Sequence, residues 1–123
     1  MSTRPLIKPH VVLENADLSG DLVSLVTIIT NITDIGYDIS WTGTAVGVFS
    51  VEISNTYSLN AAGAVLSAGN WTPLTLSGAV NPAGVTDNGF IDIQGVSAFA
   101  IRLVYTSTSG TGTVNAVVTG KVF

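Results

Sequence analysis

Apolar and polar residues alternate with a period of two along several stretches of the chain. Phe49, Val51 and Ile53 alternate with Ser50, Glu52 and Ser54. Phe99, Ile101, Leu103 and Tyr105 alternate with Ala100, Arg102, Val104 and Thr106. Tyr37, Ile39 and Trp41 alternate with Asp38, Ser40 and Thr42, and Val114, Ala116, Val118 and Val122 repeat the pattern near the end. This period places one side of each segment on a core and the other toward solvent, as strands do. The apolar positions are rich in β-branched residues, which suit a pleated surface. Between the last two segments lies Ser107 to Gly112, made only of Ser, Thr and Gly. Such a stretch reads as a tight connection, so the chain is expected to end in a long β-hairpin.

The remaining segments are shorter. His10 to Glu14 reads as a first strand, and Leu22 to Thr30 as an apolar strand with Leu25, Thr27 and Ile29 on one face. Val26 to Thr30 is β-branched throughout, which disfavours a helix there. Asn15 to Asp21 and Asn31 to Gly36 have turn composition, and Thr42 to Gly47 is a loop or hairpin. Asn55 to Asn70 is a long loop, and loops of that length are usually functional or disordered. Trp71 to Leu76 contains Pro73 and is expected at a sheet edge. Ser77 to Gly89 is a second loop, and Phe90 to Ile93 a short strand with Ile91 and Ile93 inward. Met1 to Pro9 carries Pro5 and Pro9 and reads as an extended arm. The expectation is an all-β protein: a single antiparallel β-sandwich or jelly roll of about eight strands over residues 10–123, preceded by an arm at residues 1–9.

Composition narrows the function. Charged residues are 10 % of the chain, against about 25 % in an average domain. Their place is taken by Thr, Ser, Asn and Gly, whose groups leave water at lower cost than ions do. Such a surface suits a protein covered by neighbours, and equally an ordinary β-sandwich with a Thr-rich exterior. The net charge of −4 leaves no basic stripe for phosphates, so no nucleic-acid partner is expected. No apolar run reaches the roughly 18 residues of a membrane span. The first ten residues lack the apolar segment of a secretory signal, so synthesis in a cytoplasm is expected, with the product staying there or leaving by lysis. There is no cysteine, and hence no disulfide framework or thiolate site.

Candidate chemistry is sparse. His10 is the single histidine, too few for an ordinary zinc site or a nucleophilic triad. Asp87 and Asp92 flank Asn88-Gly89, and Asp34 and Asp38 flank a second turn, but their spacing fits no EF-hand and their types fit turns. Gly110-Thr111-Gly112 has no lysine or helix start after it and is not a phosphate loop. Asn31-Ile32-Thr33 and Asn70-Trp71-Thr72 match glycosylation sequons, read as chance without export. Trp41 alternates inward and reads as core, whereas Tyr57 and Trp71 border the long loop and are the aromatics available to a ligand. In the arm, Arg4, Leu6, Ile7 and Lys8 are the candidates for contact with a partner. No catalytic residue, cofactor or metal is expected.

Three segments resemble a known group taken together: ISWTGTAVGVFSVEIS (Ile39 to Ser54), GNWTPLTL (Gly69 to Leu76) and IRLVYTSTSGTGTVNAVVTGK (Ile101 to Lys121). Their order is similar to that in small β-sandwich structural proteins of tailed bacteriophages. The resemblance spans roughly residues 36–123 and leaves the arm outside. It implies a virion protein of the capsid decoration or cement type, with no catalytic residues. The partner it implies is the major capsid protein or another virion protein. Because a sandwich leaves sheet edges open to pairing, a homo-oligomer, dimer or trimer, is expected. The alternative is a carbohydrate-binding module of a phage tail or fibre, using Tyr57 and Trp71.

Overall fold

A computed structural model describes residues 6–76 and 78–121. Eleven strands are assigned in chain order, and no helix among the described residues. Six are long: β1 (Leu6–Asp17), β4 (Asp34–Gly43), β5 (Val46–Ser54), β9 (Asp87–Ile93), β10 (Ala100–Ser109) and β11 (Gly112–Lys121). Five have two or three residues: β2 (Leu22–Val23), β3 (Thr27–Ile28), β6 (Ser58–Leu59), β7 (Val65–Ser67) and β8 (Thr72–Pro73). The first sheet runs β1-β11-β4-β9, and the second runs β2-β10-β5-β8, with β3 also on β10. β6 and β7 pair only with each other. All pairings are antiparallel. The chain is therefore all-β with antiparallel sheets, consistent with a β-sandwich.

One core lies between the two larger sheets. Ile39, Trp41, Val114, Ala116 and Val118 enter it from the first, and Phe49, Val51, Ile101, Leu103 and Tyr105 from the second. These are the inward positions of the sequence alternation. Phe49 sits between two aromatic neighbours, 4.8 Å from the Tyr105 ring centroid and 6.1 Å from that of Trp41. The Trp41 indole N–H donates to the Val85 carbonyl at 3.0 Å, so the loop before β9 satisfies the polar edge of a buried ring.

The terminal hairpin is corrected. β10 and β11 do not pair with each other: β10 lies on β5 and β11 on β4. Gly110 and Thr111 carry the chain from one sheet to the other, and Thr44 and Ala45 do the same between β4 and β5. The residues on either side of a two-residue connection are about 10 Å apart when it is extended, which is also the spacing of packed sheets. A short connection thus serves a hairpin or a crossing equally well. The two crossings lie against each other. Thr44 N–H donates to the Thr111 carbonyl at 2.7 Å, and Thr111 N–H donates to Thr44 Oγ1 at 3.3 Å. Gly110 has φ +78°, and a Cβ there would run into the Thr44 carbonyl.

Other boundaries also move. β1 begins at Leu6, with Leu6 opposite Lys121 and Ile7 opposite Gly120, so residues 6–9 belong to the sheet and not to a free arm. Residues 1–5 lie outside the described residues. The apolar run from Leu22 to Thr30 is broken: Ser24 turns its hydroxyl back to accept the Leu103 N–H at 2.9 Å. Leu25 is consequently exposed while Thr27 and Ile29 are buried. Of Trp71 to Leu76 only Thr72 and Pro73 are strand, at the sheet edge where proline is tolerated.

Two outcomes follow from the packing. Gly110→Ala should cost several kcal/mol, because left-handed strain of about 1–2 kcal/mol is joined by the collision with Thr44. Gly63→Ala has φ +84° but open space around it, and should cost only the strain. Urea midpoints of the two variants compare them, and equal losses would contradict the stacked crossings. The second outcome concerns Tyr37, which is fully buried, with a hydroxyl that finds no hydrogen-bond partner among the described residues. Burial pushes its phenol far above the ordinary value of about 10. Above that pH the unfolded chain loses a proton that the folded chain keeps, so stability falls as pH rises, by up to about 1.4 kcal/mol per unit. Tyr37→Phe should flatten this alkaline fall, at no loss near pH 7, since an unpaired buried hydroxyl is removed. Equally steep stability curves from pH 9 to 11.5 would refute it.

Candidate functional site: the outer face of the second sheet

The outward residues of β10 and β5 meet across the middle of the second sheet. Arg102 stands opposite Glu52, and Val104 opposite Ser50. Val23 of β2 continues the Val104 row and Pro73 of β8 the Glu52 row. Thr106 pairs with Val48, which is exposed like Val23.

Arg102 and Glu52 form an ion pair on this face. Nε and Nη2 of Arg102 donate to Glu52 Oε1 at 2.9 and 2.7 Å. Both side chains are largely covered, at 24 % and 22 % exposure. The cover is Trp71: the guanidinium carbon lies 4.1 Å from the centroid of its ring. The flat guanidinium thus stacks on an indole and keeps its in-plane donors for a carboxylate, which an ammonium could not do. Tyr57 completes the cluster, its ring 5.8 Å from that of Trp71 at an interplanar angle of 57°.

Trp71 is held there by the segment expected to be a long loop. Residues 55–70 contain the β6–β7 hairpin. The Ser54 hydroxyl accepts the N–H groups of Thr56 and Tyr57 at 3.2 and 3.1 Å. The Thr56 hydroxyl accepts the Asn70 N–H at 2.6 Å, and the Trp71 indole N–H donates to the Ala68 carbonyl at 2.8 Å. At the far end, Asn60 Oδ1 accepts from Ala62 and Ala64 at 2.9 and 3.0 Å, a side chain closing the turn. The root and the turn of the hairpin are thus both fixed by side chains of its own segment.

Tyr57 and Trp71, the two aromatics bordering the long segment, lie against each other beside a shallow groove lined by Ile53, Ser54, Asn55, Thr56, Asn70 and Thr72. Arg102 and Glu52 were legible only as two outward positions on alternating segments, since their pairing depends on strand register. Of the arm candidates, Ile7 packs on the core of its own domain, whereas Leu6 and Lys8 are exposed on β1 and Arg4 lies outside the described residues. His10 is exposed on the same strand. Asp87 caps the Asn88 N–H at 2.8 Å, Asp34 accepts the Gly95 N–H at 3.2 Å, and Asp92 accepts from Gln94 at 3.4 Å. These are local structural roles. Among the described residues no three His, Cys, Asp or Glu side chains gather into a metal-binding group. No helix there is long and apolar enough to cross a membrane.

No protein-family model matches this chain, and no curated protein matches it in sequence.

Removing Arg102 should bare one face of the Trp71 ring. Arg102→Ala is expected to cost about 1–2 kcal/mol, from the stacking and the half-covered ion pair together. It should also raise acrylamide quenching of tryptophan emission, because Trp41 remains buried and only Trp71 changes. Unchanged quenching would mean that the guanidinium does not cover the ring in solution.

Proposed function

We propose that this chain is a bacteriophage virion structural protein of the capsid decoration or cement type, binding the shell through the outer face of its second sheet. The observation that carries the reading is the arginine of that face, held by Glu52 and Trp71 on a surface that also exposes Val23 and Val48 further along the strands. Arg, Trp and Tyr are the residues in which interface energy concentrates, and a preset geometry lowers the entropy lost on binding. The charges of the Arg102–Glu52 pair already neutralise each other, so burying the face strands neither.

The strand order supports the finer reading of the fold as a jelly roll. Taking β2 and β3 as one interrupted strand and β6–β7 as an insertion leaves eight strands, in sheets of four. The first half of the chain pairs with the second half in reverse: β1 with β11, β2 and β3 with β10, β4 with β9, β5 with β8. That is a long antiparallel ribbon rolled on itself, an architecture common in viral capsid and lectin domains. Its long open edge is blunted against strand addition: β1 carries Pro9 and three register shifts against β11. Contacts in a homo-oligomer or with the major capsid protein then fall to the faces or to β9, the other edge of that sheet.

Carbohydrate binding is the second reading, favoured by the Tyr57–Trp71 pair beside a groove of Asn and Thr side chains. The test is co-sedimentation of the purified protein with shells of the phage that encodes it. Saturable binding is expected, weakened at least tenfold by Trp71→Ala. Failure to bind both unexpanded and expanded shells, together with specific signals on a glycan array, would transfer the function to the second reading.

A further inference from the structure

We propose that the β9 edge of the first sheet carries a binding site for a neutral oligosaccharide, with one sugar ring stacked on Phe90 and Asp92 accepting hydrogen bonds between two sugar subsites. The inference does not rest on the shell-binding reading, which assigns the outer face of the second sheet.

Phe90 is an outward residue of β9, opposite Asp38 of β4, and is 59 % exposed. Its ring leans diagonally across the strand pair onto Gly36, where a Cβ would stand 2.6 Å from Cζ and 3.2 Å from Cε2. Diagonal neighbours on one face of an antiparallel pair are within reach of an aromatic ring, and only glycine leaves room for the ring to settle there. One side of the ring is thereby held on the sheet, and the other is turned to solvent. An aromatic face is electron-rich. The C–H groups on a sugar ring, made electropositive by the oxygens beside them, are its complement.

Polar groups surround this platform. A hollow of about 330 Å³ beside the ring is walled by Asp34, Asp92, Thr119 and Lys121. The Thr119 hydroxyl approaches the same point above Gly36, 3.3 Å from a Cβ there. On the other side of Asp92 lies a second hollow of about 490 Å³. Ile53, Leu74 and Leu76 give it apolar surface, and Thr75, Gln94 and Ser97 give it polar groups. Gln94 Nε2 donates to Asp92 Oδ2 at 3.4 Å, which sets an amide beside the carboxylate. Each hollow has the volume of a small-molecule site, and each combines apolar surface with both donors and acceptors. A sugar has the matching pattern: its ring faces are apolar, and its hydroxyls donate and accept around the rim. Because Asp92 walls both hollows, a chain of sugar units crossing β9 fits them better than one compact molecule.

Other ligand classes meet specific obstacles. A nucleic acid would bring phosphates against Asp34, Asp38 and Asp92 in a chain of net charge −4. A protein packed on this face would bury the exposed carboxylates of Asp38 and Asp92, each of which would need a new partner. A metal ion lacks a ligand set, since no three His, Cys, Asp or Glu side chains gather among the described residues. An organic amine would meet Lys121 in the hollow beside the ring. Neutral hydroxyls satisfy the carboxylates without bringing in a charge, and they stay partly hydrated at a site open to solvent.

The experiment places the full-length protein on an array of maltohexaose, cellohexaose, chitohexaose and xylohexaose with the matching disaccharides, and follows the strongest signal by calorimetry. Melting temperatures verify that each variant is folded. The wild type is expected to bind at least one hexasaccharide, and the matching disaccharide at least tenfold more weakly. Phe90→Ala is expected to lose at least tenfold in affinity, Asp92→Ala at least fivefold, and Phe90→Trp to retain binding. Trp71→Ala should bind sugar as wild type, and Phe90→Ala should bind phage shells as wild type. A blank array, or hexasaccharide binding left intact in Phe90→Ala, would overturn the site. Loss in Trp71→Ala with binding kept in Phe90→Ala would move the sugar to the Tyr57–Trp71 pair. Equal affinity for disaccharide and hexasaccharide would overturn the paired subsites. Loss of shell binding in Phe90→Ala would make a protein the occupant of this face and overturn the proposal as well. A failure on the array leaves the shell-binding reading standing.

Discussion

The two crossings at Thr44-Ala45 and Gly110-Thr111 constrain everything else in this structure. Each carries the chain between sheets in two residues, and they exchange hydrogen bonds through Thr44 and Thr111. Because β4 pairs with β11 and β5 with β10, the crossings lock the register of both sheets at one end. Gly43 stands opposite Gly112 and Val46 opposite Ser109 at this junction. A slip of one residue in either sheet would separate the crossings and turn every core side chain on that strand outward. The glycines there are required by close approach, since a Cβ on Gly43 would meet the Thr111 carbonyl and one on Gly112 the Thr42 carbonyl.

With the register held, the alternating pattern does two jobs at once. Inward residues from the central strands fill the core, with Val51, Ile101 and Leu103 fully buried. The residues between them build an outer face without further design. Arg102 meets Glu52 because Ile101 meets Ile53 and Leu103 meets Val51 on the other side of the same strands. This outer face is thus a consequence of core register, and a change that disturbs the core would disturb the face with it. Nearly all strand pairing joins residues far apart in sequence, and such topologies form slowly because loop entropy is lost before contacts return it.

The first sheet presents a different outer surface. Asp38 and Phe90 stand opposite each other there, and Thr42 and Thr113 share a hydroxyl contact at 3.0 Å. Its exposed aromatic lies beside a carboxylate, whereas Trp71 and Tyr57 on the second sheet lie against each other and against a neutralised arginine. The difference sets the second face apart as the one that leaves water with no unpaired charge.

By itself the sequence determined the class of fold and, for the alternating segments around Ile39, Val51, Leu103 and Ala116, which side enters the core; it did not show the break of Leu22 to Thr30 that leaves Leu25 exposed, or the two short strands within Asn55 to Asn70. Period-two alternation around Val51 and Leu103 is a local property, set by the pleat of a single strand. It also marked Tyr57 and Trp71 as the aromatics bordering Asn55 to Asn70, but read that segment as a loop where the structure has the β6–β7 hairpin. What it left open was every question of partnership. A two-residue Gly-Thr connection spans a hairpin or a crossing alike, so the terminal segments read as partners although they lie in different sheets. Residues 6–9 read as an arm because Pro5 and Pro9 suggest extension, and only β11 supplies the edge on which they form a strand. Glu52 lacked a visible partner because Arg102 is fifty positions away along the chain. Those contacts exist only once two distant strands share a register, and register is a property of the assembled sheets, not of any stretch of residues.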